Sequence, residues 1–331
     1  MLRPLLLGLL LTCSFSLALA APPFTKEQQA FVDDLVNNHQ FDETYIKDVL
    51  GKANKSQSIL ESIARPWEAK PWHQYYPIFL TEKRLQKGLE FWQKHQQTLA
   101  RAEQTFGVPA EIIVAIIGVE TFYGTYKGKY NVLDSLYTLG FYYPPRSKFF
   151  KSELKEMFLL SREEKFDPTE LMGSYAGAMG WGQFISSSYR HYAVDFDNDG
   201  IRDLLNNAED AIGSVANYFK QHGWQANQPV AFKAQVEDPK ANNLITKGLK
   251  FTQNWQQIQA LGVSIEGEVA GKVGSNVDGN AKAKLFAFEL EQGQEYWVGF
   301  NNFYSITRYN HSPLYAMAVY QFSQQLKQQR N

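Results

Sequence analysis

The sequence predicts a mainly α-helical chain that carries a small β-rich insertion. Three observations predict it. Val108 to Gly124, VPAEIIVAIIGVETFYG, is apolar almost without a break, and a helix that is apolar on every face is a buried one. Helix-period patterns fill residues 25 to 106 and return in LYAMAVYQFSQQL after Pro313. Between them, from Pro229 to Phe300, the texture changes to period-two alternation, as in VAFKAQVE and KLFAFELE. At 331 residues, 44% hydrophobic and 20% charged, the chain has an ordinary globular profile with room for a large core. A formal net charge of −1 gives no electrostatic case for a nucleic-acid partner or for an anionic membrane surface.

Residues 1–20 read as a signal peptide. Arg3 supplies the positive start, Leu5 to Leu11 the apolar segment, and Ala18-Leu19-Ala20 a small-x-small cleavage site. Cys13 is the only cysteine, and Leu11-Thr12 before it lacks the small residue that a lipid-attachment signal wants beside the cysteine. The expectation is a soluble exported protein with no disulfide, thiol nucleophile or cysteine metal site in its mature part. Helices follow from 21 to 106. Thr25 with Gln28 makes a capping box, Asp42 caps TYIKDVLGKA, and Thr81 opens a long helical pattern that ends at Gly107. Between them, ARPWEAKPWHQYYPIF gathers Trp67, Trp72, Tyr75 and Tyr76 among three prolines. Such a stretch lines a saccharide groove or packs helices together, and packing is the commoner use.

Pro109 suits the first turn of the apolar helix, where its missing N–H would be unpaired anyway. Two acids interrupt that helix. Glu111 lies in the first turn, where the helix dipole favours a negative charge. Glu120 comes nine positions later and points to the opposite side. It sits in the last turn and shares a face with Ile113, Ile116 and Ile117. Apolar neighbours and the negative end of the dipole both raise a carboxyl pKa. A carboxylic acid that keeps its proton near neutral pH is what general acid catalysis needs. A surface glutamate, or one neutralised by a structural arginine, is the plain alternative.

Pro144 and Pro145 break the next helical pattern and leave Arg146 in a loop, and a helix rich in Phe, Leu and Met runs to about Phe166. Gly173 to Phe184, GSYAGAMGWGQF, holds four glycines and two alanines, so something approaches its backbone closely. It has neither the Lys-Ser/Thr of a phosphate loop nor GxGxxG spacing, which argues against a nucleotide. Ser174 and Gln183 suit an amide or hydroxyl ligand, and helix packing on small residues explains the composition equally well. Asp195 to Asn206, DFDNDGIRDLLN, places Asp195, Asp197 and Asp199 at positions 1, 3 and 5 of an EF-hand-like loop. Gly200 takes the sharp turn and the Ile201 carbonyl would serve at position 7. Position 12 is Asn206 rather than the usual Glu, which leaves the last ligand open; Glu209 or Asp210 could supply it if the loop runs longer. The spacing predicts one structural calcium ion rather than a sensor.

Gln292-Gly293 can turn KLFAFELE back into EYWVGF within the β-rich insertion, 229–300. Helical texture is expected to resume after NNFYSITRYN, 301–310, with Ser312 capping and Pro313 starting the helix. The expected organisation is therefore a helical region at 21–106, a core at 107–228, the insertion, and a segment at 301–331 returning to the core.

GVETFYG at 118–124, SYAGAMGWGQF at 174–184, the Asp-rich loop at 195, DAIGSVANYF at 210–219 and NNFYSITRYN at 301–310 occur in one order. With these motifs the chain resembles the membrane-bound lytic transglycosylase B family of peptidoglycan-cleaving enzymes, glycoside hydrolase family 103, over nearly all its mature length. The resemblance implies a lysozyme-like α+β core with an EF-hand-like calcium site. It implies one catalytic glutamate, matching Glu120, and saccharide-binding positions matching Ser174, Gln183, Tyr309 and Asn310, with Arg146 as a further substrate contact. The implied partner is the peptidoglycan glycan strand, with no cofactor for catalysis, and a periplasmic monomer is expected. The implied reaction cleaves the β-1,4 bond between N-acetylmuramic acid and N-acetylglucosamine and forms a 1,6-anhydro sugar. Most glycosidases use two carboxylates, whereas attack by the muramoyl 6-hydroxyl on its own ring needs one, and Asp134 is the nearest candidate for a second. A hydrolytic muramidase on the same fold and a non-catalytic wall-binding scaffold are the rival readings. The family name implies a lipid anchor, from which the poor match around Cys13 departs.

Overall fold

The computed structural model describes residues 24–65, 70–265 and 277–330. The leader at 1–20, Cys13 and Trp67 lie outside the described residues. The chain divides into two compact units, one ending at Lys52 and one beginning at Ala53. The first holds α1 (Lys26–His39) and α2 (Glu43–Gly51). Thr25 and Gln28 form the expected capping box, and the Asp42 carboxylate accepts the Tyr45 N–H at 2.8 Å. Phe31, Val32 and Leu35 of α1 and Ile46, Val49 and Leu50 of α2 are buried.

The second unit continues with α3 (Gln57–Ile63), α4 (Trp72–Tyr75), α5 (Glu82–Lys94) and α6 (Gln96–Phe106). Thr81 caps α5 as its sequence predicts, but the long pattern to Gly107 is two helices, not one. His95 leaves helical geometry with φ −109° and ψ 26°, and its ring packs 4.6 Å from Phe91. Gly107 ends α6 in the left-handed region with φ 72°. Then follow α7 (Ala110–Thr121), β1 (Tyr130–Asn131), α8 (Val132–Tyr142), α9 (Ser147–Glu164), β2 (Met172–Gly173), α10 (Ser186–Tyr192) and α11 (Ala208–Gln221). Strands β1 and β2 pair antiparallel, with Tyr130 opposite Gly173.

The insertion forms an antiparallel sheet of β3 (Ala231–Val236), β4 (Gln253–Asn254), β5 (Val263–Ile265), β6 (Lys282–Glu289) and β7 (Gln294–Gly299), ordered β4-β6-β7-β3-β5. The short α12 (Trp255–Gln259) closes one side, and Trp255, Ile258, Leu285, Val298 and Phe300 fill the core between them. The β6–β7 hairpin turns where expected, with Gly293 at φ 77° and Leu285 opposite Val298. Trp72 is 2% exposed, and its Nε1 donates to Glu295 on β7 at 3.0 Å. Its part of the aromatic stretch therefore packs against the hairpin.

The helical body resumes earlier than its composition suggests. NNFYSITRYN is itself a helix, α13 (Asn301–Tyr309), followed by α14 (Pro313–Arg330). NFYSIT looks strand-like by propensity, yet Asn302, Phe303, Ser305 and Ile306 fall at helical spacing and are all buried. The Asn302 side chain bonds Gln225 and Gln228 and holds that face inward. At the centre of the body lies α7, packed by α5, α6, α11 and α14. Every residue of it except Glu120 is buried. Among the described residues no single helix is long and apolar enough to cross a membrane.

Candidate active site

Glu120 sits in the last turn of α7 with partial access to solvent, and the body encloses its carboxyl from most sides. Its Oε1 accepts the Tyr315 hydroxyl at 2.5 Å. Burial pushes the Glu120 pKa up to about 7, and the bond from Tyr315 pulls the other way without cancelling it. Tyr315 lies in the first turn of α14 and is 3% exposed. Tyr309 stacks on it with ring planes 9° apart, and its hydroxyl donates to the Gly182 carbonyl at 2.6 Å. Burial, and next the charge of Glu120, raise both phenols well above their ordinary range, so both remain donors near neutral pH. Tyr75, from the aromatic stretch, is a further influence on Tyr315.

Tyr309 also lines a cavity of about 400 Å³, together with Arg146, Gln183, Arg308 and His311. No aspartate or glutamate lines it. Arg146 lies over the Phe149 ring at 4.4 Å, and among the described residues neither Arg146 nor Arg308 is paired with a carboxylate. Gln183 takes a left-handed conformation, φ 51°, and its Nε2 donates to the Lys127 and Gly180 carbonyls. Three of the expected saccharide-binding residues, Arg146, Gln183 and Tyr309, thus share one cavity. Ser174 and Asn310 are not among its lining residues. The Ser174 hydroxyl accepts the Ala176 and Ala178 N–H groups at 3.3 and 3.0 Å and so shapes its own turn. Asn310 ends α13 in extended backbone.

Asp134 stands apart from this group. Its carboxylate accepts the Asn54 N–H at 2.7 Å, a structural tie. Glu111 is 7% exposed and pairs with Lys327 at 2.9 Å, beside a cavity of about 720 Å³ at the opposite end of α7.

In the acidic loop, carboxylate oxygens of Asp195, Asp197 and Asp210 all lie within 4.8 Å of one another. Asp210 is fully buried in the first turn of α11. It accepts the Phe196 and Asp203 N–H groups, and burial, then Asp197 and Asp195, push its pKa up to about 6. Glu209 is engaged elsewhere, with Arg101 at 3.2 Å. Asp199 is outside the cluster: its carboxylate accepts the Ile201 N–H at 2.8 Å, while its own N–H bonds Asp195 and Asp197. Three converging carboxylates, one without solvent, are an oxygen donor set that could hold a hard cation.

Sequence reasoning missed Tyr315, Arg308 and His311. The two cavity residues flank the Tyr309–Asn310 pair and were open to notice. Tyr315 carried no local signal beyond standing just inside the helix that Pro313 opens.

Residues 23–324 match the family described as "Transglycosylase SLT domain". The chain is 42% identical over 306 residues to the Escherichia coli protein "Membrane-bound lytic murein transglycosylase B", covering 89% of this chain and 81% of the relative. Its fold matches the catenated lytic transglycosylase SltB1 from Pseudomonas aeruginosa, with TM-score 0.88, 45% identity and coverage of 93% of this chain and 99% of that one. The Escherichia coli lytic transglycosylase Slt35 in complex with calcium matches with TM-score 0.82, 41% identity and coverage of 92% and 94%.

Proposed function

This chain belongs to the transglycosylase SLT family and is a lytic transglycosylase of peptidoglycan, and from that premise we propose that Glu120 is its single acid–base catalyst. In the first step the Glu120 carboxyl gives its proton to the glycosidic oxygen between N-acetylmuramic acid and N-acetylglucosamine, and the C1–O bond breaks. In the second the Glu120 carboxylate takes the proton of the muramoyl 6-hydroxyl as that oxygen bonds C1. The 1,6-anhydro product forms and the enzyme recovers its proton. The observation that carries this reading is one enclosed carboxyl with a pKa near 7, held by Tyr315, whose stacking partner Tyr309 lines a cavity that has no aspartate or glutamate in its wall. Product mass tests it: an anhydro product is one water lighter than a hydrolytic one. The heavier product would make the protein a muramidase.

Arg146, Gln183 and Tyr309 bind the strand in this proposal, with Ser174 and Asn310 supporting the same wall. Arg308 joins Arg146 as a partner for carboxylates on the muramoyl unit. Asp195, Asp197 and Asp210 hold a structural calcium ion, with Asp199 and the Ile201 carbonyl nearby. The ion's place is to neutralise their mutual repulsion and pin the N-terminus of α11. Calcium in the matching Slt35 structure supports the choice of ion. The sheet at 229–300 serves as an insertion into one helical body. We place the enzyme in the periplasm as a soluble monomer, although its Escherichia coli relative is named as membrane-bound. Fatty-acid labelling at Cys13 would overturn the soluble form.

A further inference from the structure

Directly after Glu120 and Thr121 the backbone turns left-handed three times in succession. Phe122, Tyr123 and Gly124 have φ of 50°, 57° and 75°. Two of the three are not glycine, and such a run persists only where its surroundings over-determine it. Thr121, the last residue of α7, does much of that holding. It is 1% exposed. Its hydroxyl lies 2.9 Å from the Trp181 carbonyl and 3.2 Å from the Ile117 carbonyl, and it accepts the Gly124 N–H at 3.0 Å. A hydroxyl has one hydrogen to give, and the Trp181 oxygen is the nearer acceptor.

The joint is fitted from both sides. A Cβ on Gly124 would stand 2.8 Å from the Trp181 ring. The Tyr123 hydroxyl occupies a notch where a Cβ on Gly88 or Gly118 would come within 2.3 or 2.5 Å of it. Trp181 is itself held in place, because its backbone N–H donates to the Leu204 carbonyl at 2.9 Å. The next residue, Gly182, accepts the Tyr309 hydroxyl, and Gln183 follows in the cavity wall.

We propose that Thr121 is a positioning residue for the reaction. Its hydroxyl ties the turn carrying Glu120 to the segment that holds Tyr309 and presents Gln183, so that acid and cavity wall keep one separation. This rests on the reading of Glu120 as the acid. Without the hydroxyl, the Trp181 carbonyl and the Gly124 N–H both lose a buried partner. The end of α7 then loosens, and water reaches the Glu120 carboxyl.

Thr121→Val keeps the shape and removes the hydroxyl, and Thr121→Ser keeps the hydroxyl. Both are assayed on glycan strands well below their unfolding temperatures, per folded molecule. A small displacement of a catalytic group costs up to about 100-fold. For Thr121→Val we expect kcat to fall on the order of 10- to 100-fold with KM nearly unchanged. The high-pH limb of the rate profile should shift to lower pH as Glu120 gains water. Thr121→Ser should restore both. A folded Thr121→Val variant with the parent's kcat and pH limb overturns the proposal, whatever its melting temperature. If Thr121→Val does not fold, Thr121→Ala takes the same two readouts. Glu120→Gln is run alongside. If it is inactive while Thr121→Val is unchanged, only this proposal falls; if Glu120→Gln remains active, the reading of Glu120 falls first.

Discussion

Replacing Glu120 by glutamine should stabilise the protein while abolishing its activity, and the stabilisation should depend on pH in one direction only. The folded protein raises this carboxyl from an ordinary 4.5 to about 7. Between those values the folded state binds a proton that the unfolded chain has released. Stability of the parent therefore falls as pH rises through this window. Below it both states are neutral at this position, and above it the folded state carries the full cost of the charge. At about 1.4 kcal/mol per pH unit the cost comes to about 3.5 kcal/mol, and partial solvent access trims it to about 2–3. Glutamine is neutral throughout, and its amide oxygen can still accept the Tyr315 hydroxyl. The difference in stability, Glu120→Gln variant minus parent, should thus open from near zero at pH 4 to about 2–3 kcal/mol at pH 8. For a chain of this size that is a rise in Tm of about 3–5 °C. Paired thermal melts across the range measure it, since other groups cancel in the difference. Sacculus digestion should fall about 10²- to 10⁴-fold in the same variant. A difference that stays flat from pH 4 to 8 would refute the raised pKa, and with it the reason for assigning Glu120 the acid's role.

Calcium should raise the Tm of the parent, since a ligand of the folded state alone stabilises it by mass action; Asp210→Asn and Asp195→Ala should lose the response, and a melt insensitive to chelation would remove the site. Gly182→Ala should drive the Tyr309 hydroxyl from its carbonyl partner, because the new Cβ would lie 2.8 Å from that oxygen; a loss of about 1–3 kcal/mol is expected, read by denaturant unfolding. Arg308→Ala should raise KM for strands with free muramoyl or peptide carboxylates more than for strands whose carboxylates have been amidated, and equal effects on both would contradict its assignment. Glu111→Gln should cost about 1 kcal/mol or less, since its partner Lys327 is 55% exposed, and activity within about twofold of the parent by turnover assay would set it apart from Glu120.

The enclosure of Glu120 was legible because its evidence is local. One helical window holds the apolar run, the acid and the helix end, and burial of that window follows from its composition alone. The β6–β7 hairpin was legible for the same reason, from alternation and Gly293. Asp210 was half legible: Asp195 and Asp197 announce themselves by spacing, while the third carboxylate depends on where α11 starts, which Asn207 sets by capping Glu209 and Asp210. The helix α13 was hidden because β-branched and aromatic residues mimic a strand, and only the partners of Asn302 decide otherwise. The break at His95 has no glycine or proline to mark it. Tyr315 was beyond reach, since nothing near Glu120 in sequence points to a residue 195 positions away.

That separation also has a meaning in time. At about 5–20 residues per second, a ribosome reaches Tyr315 roughly 10–40 s after it has made Glu120. Through that interval the glutamate exists without its hydroxyl donor or the wall of α14 that encloses it. A nascent or interrupted chain thus carries there an ordinary carboxylate, ionised at neutral pH. The apolar run of α7 announces the capacity to hold a proton, but only the closing of the folded body around Glu120 realises it.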